Sequence, residues 1–243
     1  MEKGEEIENA INSNPFPYSD TMDMIYDIHK KEQIEFFNEN FIDRYKDKKE
    51  IKIIHKGEYY KLDTKFSSLN LTKEEKEIKI TLMGIEYITD MSYMFAKCKE
   101  LKKVIATKTY MRNVENMRSM FQECDNLEEL SDTSHWNLEN VKTLRGLFYL
   151  CKNLKKIPGI DKWNPTNLQG EDSCYEMFYG CSQSLVKEQI SQVMKWENVD
   201  KKIKNKHKKG FKNKNVLDFI KYSLTENIDE TASNLNNILK KFC

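Results

Sequence analysis

Glycine and proline are scarce in this chain of 243 residues, 8 and 4 respectively. So few turn-formers disfavour a compact enzyme rich in glycine turns and fit a helical or repeat protein better. No run of about 18 apolar residues occurs, so no segment is expected to cross a membrane as a helix. The opening MEKGEEIENA is acidic, where a secretory leader begins with cations and continues apolar; the expected setting is therefore intracellular. An excess of one sign of charge is also missing. Forty Lys and Arg stand against 39 Asp and Glu, so the molecule as a whole is neither polycation nor polyanion, and an electrostatic partner must be met by a local patch. Six cysteines are too few for a disulfide scaffold of this length, and without a leader they are expected to stay thiols in a reducing compartment.

Catalytic signatures are absent as well. The chain contains no glycine-rich phosphate loop, no H-E-x-x-H, no G-x-S-x-G and no cysteine or histidine pairs at metal-ligand spacing. The four histidines, His29, His55, His135 and His207, share no spacing with the cysteines. The expectation is a protein that is not an enzyme and uses no cofactor or metal.

What the sequence does hold is a repeated octet. MSYMFAKC (91–98) returns as MRSMFQEC (117–124), LRGLFYLC (144–151) and CYEMFYGC (174–181). Recurrence at intervals of 20 to 50 residues is the sign of a stacked-repeat architecture. Met91, Met94, Phe95 and Cys98 fall at i, i+3, i+4 and i+7, the pattern of one helical face, which predicts a helix of about two turns in each unit. After each octet comes a Leu, and then an extended pattern in LKKVIA, LEELSD and LKKIPG that predicts one short strand per unit. A free Cys behaves as a small hydrophobe in a core, so one Cys per unit reads as a buried structural ladder.

HWNLENV (135–141) and KWNPTNL (162–168) lead into the octets that follow them, and the best full unit includes NVENMRSMFQECDNLEEL (113–130). These units resemble the BspA-type leucine-rich repeats, whose pattern is similar to W-N-x-x-N-V-x-N-M-x-x-M-F-x-x-C-x-x-L. The resemblance covers about residues 86–185. It departs from the pattern where Leu144 and Leu147 replace the Met pair and where Cys174 replaces the first Met. It implies a curved solenoid that binds macromolecules on the concave strand side, and it implies surface adhesion as an alternative role and the cell surface as an alternative setting.

The expected fold class is thus an α/β repeat solenoid of about four leucine-rich-repeat-like units, with an N-terminal α+β cap and a C-terminal helical segment. The divisions read as a tail at 1–18, a cap at 19–85, repeats at 86–185 and a helical cap at 186–243. Within the cap, strands are expected in 22–29, 50–62 and 77–85, with a hairpin turn at Lys56-Gly57. The leading function is protein binding by a scaffold. If Leu101, Val104 and Ala106 point inward, then Lys103, Ile105, Glu129, Ser131 and Lys156 line the outer strand face. The alternative function is electrostatic binding of nucleic acid or an anionic membrane through 201–215, where Lys201, Lys202, Lys204, Lys206, Lys208, Lys209, Lys212 and Lys214 stand without an acid.

Overall fold

The computed structural model describes residues 20–29, 34–63, 75–108, 110–169, 173–182, 184–186 and 188–189. Strict alternation in TMDMIYD makes β1 (Thr21–Asp27), with Met22, Met24 and Tyr26 buried. Helix α1 (Glu39–Tyr45) starts at Asn38, whose side chain accepts from the Asn40 amide, and it buries Phe41, Ile42 and Tyr45. Strands β2 (Lys52–His55) and β3 (Glu58–Lys61) form a hairpin across Lys56-Gly57. Both turn residues have positive φ, 50° and 84°, as a type I′ turn requires. Then come β4 (Glu77–Met83), β5 (Leu101–Lys108) and the two-residue β6 (Glu129–Leu130), with single 3-10 turns at Ile85–Tyr87 and Ile160–Lys162.

The strands make one six-stranded sheet in the order β3-β2-β4-β1-β5-β6. All neighbours are antiparallel except β5 and β6, which are parallel. β1 lies between β4 and β5, so it covers the edge that the first repeat strand would otherwise expose. A register shift between Ile25 and Tyr26 leaves Lys102 as an extra residue in β5. Leu101 and Val104 both point into the core for that reason, although they are three apart.

This architecture corrects the expected fold class. The described residues form a mixed six-stranded sheet with short helices, not an α/β solenoid with a helical segment. The physical reason lies in the octets. Each is a run of turns, not a two-turn helix, and it contains two residues with positive φ: Tyr93 and Lys97, Ser119 and Glu123, Gly146 and Leu150, Glu176 and Gly180. Left-handed residues at every fourth place interrupt a right-handed helix. The backbone amides therefore divide their bonds. In the first octet those of Met94, Ala96 and Cys98 bond three residues back, to Met91, Tyr93 and Phe95. Those of Met91, Tyr93, Phe95 and Lys97 bond forward to the carbonyls of Asn116, Arg118, Met120 and Gln122. The i, i+3, i+4, i+7 pattern is thus a pattern of inward-facing corners, which periodicity alone does not separate from a helical face. The strand part of the second and third units is also shorter than expected, two residues in β6 and less in the unit after it. Residue 156 keeps only a bridge to Glu129, and Pro158 supplies no amide for extending it. The expected helical segment over 216–242 lies outside the described residues.

The octets bury a continuous column of rings. Phe37, Phe95, Phe121, Phe148 and Phe178 stack in turn, with centroids 5.4 to 5.9 Å apart. A second stack pairs Trp136 with Trp163 at 5.3 Å. At the first octet the carbonyls of residues 90, 92, 94 and 96 have no earlier unit to donate to them. Asn38 donates to Met94 and Ala96, and Arg44 donates to Asp90 and Ser92, which satisfies that end of the stack.

Candidate binding face

One side of the sheet packs on the core and the other is open. Cross-strand partners point to the same side, so the register defines the open face in rows. One row runs Tyr59, Ile54, Thr81, Asp23, Ile105. The next runs Lys79, Ile25, Lys103, Glu129, Lys156. Apart from Lys79 and Lys156, which are exposed, and Tyr59 at 47% exposure, these side chains are half-buried.

The structure brings Lys103, Ile105, Glu129, Ser131 and Lys156 together on this face, and it joins three of them internally. Lys103 and Glu129 form an ion pair, and Lys156 lies beside Glu129 on its other side. The hydrogen bond from Lys103 holds the Glu129 carboxyl below its ordinary range, with the charges of Lys103, Lys156 and Lys155 adding to the effect. The Ser131 hydroxyl accepts the Ala106 amide at 2.8 Å and is committed to joining the strands. The sequence register did not supply the half of the face contributed by β1, β4 and β2. There the Thr81 hydroxyl donates to Asp23 at 2.6 Å, and Lys79 lies 2.6 Å from the other Asp23 oxygen. The signal was the alternation in TMDMIYD, whose polar side carries Asp23. Nothing local in the sequence states that β1 inserts between β4 and β5. The eight lysines of 201–215 lie outside the described residues.

Where the β2–β3 hairpin turns away from β4, a cleft of about 340 Å³ opens, lined by Ile54, His55, Glu75, Ile78 and Lys79 among others. His55 bonds the Lys79 carbonyl through Nδ1 at 3.0 Å, and Lys56 pairs with Glu75 at 2.7 Å across the mouth.

The thiols sit elsewhere, inside the stack. Cys124, Cys151 and Cys181 each donate to the carbonyl of the Phe one unit earlier, at 2.9 to 3.0 Å. Burial pushes the thiols of Cys98, Cys124 and Cys151 well above the usual range, and that of Cys181 up to about 12. Such thiols are poor nucleophiles and poor ligands. Among the described residues no group of three or more His, Cys, Asp or Glu is placed to hold a metal ion, and no helix is long and apolar enough to cross a membrane.

Residues 61–193 match the family model described as Mycoplasma protein of unknown function, DUF285. No curated protein and no solved structure matches the chain.

Proposed function

We propose that this chain, which belongs to the DUF285 family through a match over more than half its length, is a non-enzymatic protein-binding scaffold whose partner docks on the open sheet face. The observation that carries the reading is the set of apolar side chains on the solvent side. Ile25, Ile54 and Ile105 are only half-buried there, and Tyr59 is exposed. A partner that covers them removes apolar surface from water. The charges between them are held in pairs, Lys79 with Asp23 and Lys103 with Glu129. A face of balanced sign suits a protein better than a polyanion. The resemblance of the units to BspA-type repeats points to the same class of role. An intracellular setting fits the free thiols at Cys98, Cys124, Cys151 and Cys181.

The test inverts the surface while keeping its internal pairing: Lys103→Glu, Glu129→Lys and Lys156→Glu together. The variant should keep the wild-type circular dichroism and lose the partner in affinity capture. Capture that is unchanged by the inversion refutes this face as the site. Retention that collapses between low and high salt, and disappears only when the lysines of 201–215 are neutralised, supports the alternative of nucleic acid or anionic lipid binding through that segment.

A further inference from the structure

The stacked units carry their surface charges in columns, and almost every column alternates in sign. Lys102, Glu128 and Lys155 follow one another in adjacent units, as do Lys103, Glu129 and Lys156. The consequence is a set of ion pairs between units: Lys99 with Asp125, Lys103 with Glu129, Lys142 with Glu115, and Lys155 with Glu128. Alternation avoids like charges at the short stacking distance.

The second place of the octet breaks this rule. It holds Ser92, Arg118, Arg145 and Tyr175. Tyr93 donates its amide to the Arg118 carbonyl and Ser119 to that of Arg145, so these places lie over one another. Where the first unit has only a serine, Arg44 reaches in from α1 and bonds the Ser92 hydroxyl and carbonyl. The result is a like-signed column of Arg44, Arg118 and Arg145 that ends on Tyr175, whose ring lies 5.1 Å from the Arg145 guanidinium. The chain has only four arginines among its 40 basic residues, and three of them are here. Arg44 is explained by the carbonyls it caps. Arg145 has Glu176 at 3.7 Å as well as Tyr175. Arg118 is exposed, and among the described residues no carboxylate pairs with it.

We infer that this column is a second binding surface, and that its occupant is an acidic extended segment of a protein partner, with a carboxylate seated on Arg118. Like charges at adjacent levels are unfavourable until an anion lies across them, and guanidinium forks match carboxylates in a way that lysine does not. Alternate side chains of an extended peptide recur about every 6.7 Å, about 1.3 Å longer than the 5.4 Å step between Phe121 and Phe148, a difference per level that flexible Arg and Glu side chains can span. Asp90 and Glu176 flank the column. They disfavour a continuous polyphosphate, whereas separate carboxylates can sit between them.

The experiment is fluorescence anisotropy of the full chain with a labelled seven-residue peptide carrying three glutamates at alternate positions, at about 50 mM salt. Saturable binding should weaken about tenfold or more in Arg118→Gln, weaken in Arg118→Lys, and stay unchanged in Lys156→Gln. The matching glutamine peptide should not bind. Wild-type binding that Arg118→Gln leaves intact, or the lack of saturable binding, overturns the inference. So does loss of binding only when the lysines of 201–215 are neutralised. An oligothymidylate that binds more tightly than the peptide, and is equally sensitive to Arg118→Gln, overturns the choice of a protein partner. The triple inversion on the sheet should leave this binding unchanged, so the two surfaces can fail separately.

Discussion

Replacing Trp136 and Trp163 by Phe, one at a time, should have very unequal effects although the two indoles look alike. Both are 2% exposed, and they stack on each other at 5.3 Å with 13° between their planes. Their ring nitrogens differ. The Trp163 Nε1 donates to the Thr133 carbonyl and hydroxyl, each at 3.1 Å. The Trp136 Nε1 is buried and, among the described residues, has no acceptor. One unit before Thr133 the chain at Thr107 is drawn into β5, so no matching turn forms there to receive it. Truncation to Phe removes about the same ring volume at both sites. At Trp163 it also deletes a made hydrogen bond, a net loss of about 1 kcal/mol, whereas at Trp136 it deletes an orphan donor whose burial is itself unfavourable by about 1 kcal/mol or more. Trp163→Phe should therefore be the less stable variant by about 2 kcal/mol. In urea, with a slope of about 2 to 3 kcal/mol per molar, the midpoints should separate by about 0.7 to 1 M with equal slopes. Coincident midpoints, or the reverse order, would refute this account of the two indoles.

The two turn glycines with similar φ should also differ. Gly57→Ala, with φ of 84° and nothing within 4 Å of the added carbon, should lose roughly 1 kcal/mol, whereas Gly84→Ala meets the Glu50 carbonyl oxygen at 2.3 Å and should lose several times more by thermal melting. Native alkylation at about pH 8, read by mass spectrometry, should modify the half-buried Cys174 long before Cys98, Cys124 or Cys151; equal rates would show that the stack opens freely. Glu129 titrates below its ordinary value because Lys103 bonds it. Its small stabilising contribution is thus present above the unfolded-state value and lost as pH falls through the folded one. Lys103→Met should move the Glu129 midpoint upward in an NMR titration, and an unmoved midpoint would mean that the pair does not persist in solution.

The octets show how far the sequence could be read. Their spacing identified the inward residues: Met91, Met94, Phe95 and Cys98 are all buried. The same spacing suggested a helix, because corners held by left-handed residues repeat every fourth place and imitate helical periodicity. Tyr93, Lys97, Ser119 and Glu123 gave no warning, since φ is not written in side chains that seldom adopt positive values. The local hairpin at Lys56-Gly57 was legible from its glycine and its flanking alternation. The insertion of β1 between β4 and β5 joins residues about 80 apart, and no local rule encodes it. Only the part of the open face on β5, β6 and Lys156 could be named in advance for that reason. Arg44 was equally hidden, because its place in the column depends on α1 packing against the first octet.

Within the octets every backbone bond between units runs from an amide of the earlier unit to a carbonyl of the later one, and the first unit's carbonyls are met by Asn38 and Arg44. A whole unit duplicated in tandem between the first and the last would find the same donors below it and the same acceptors above. Length is therefore a variable that duplication or deletion of single units can change without redesign of either terminus. Relatives of this chain should differ in size by steps of about one repeat, and each added copy that keeps arginine at the second place would extend the cationic column by one more level.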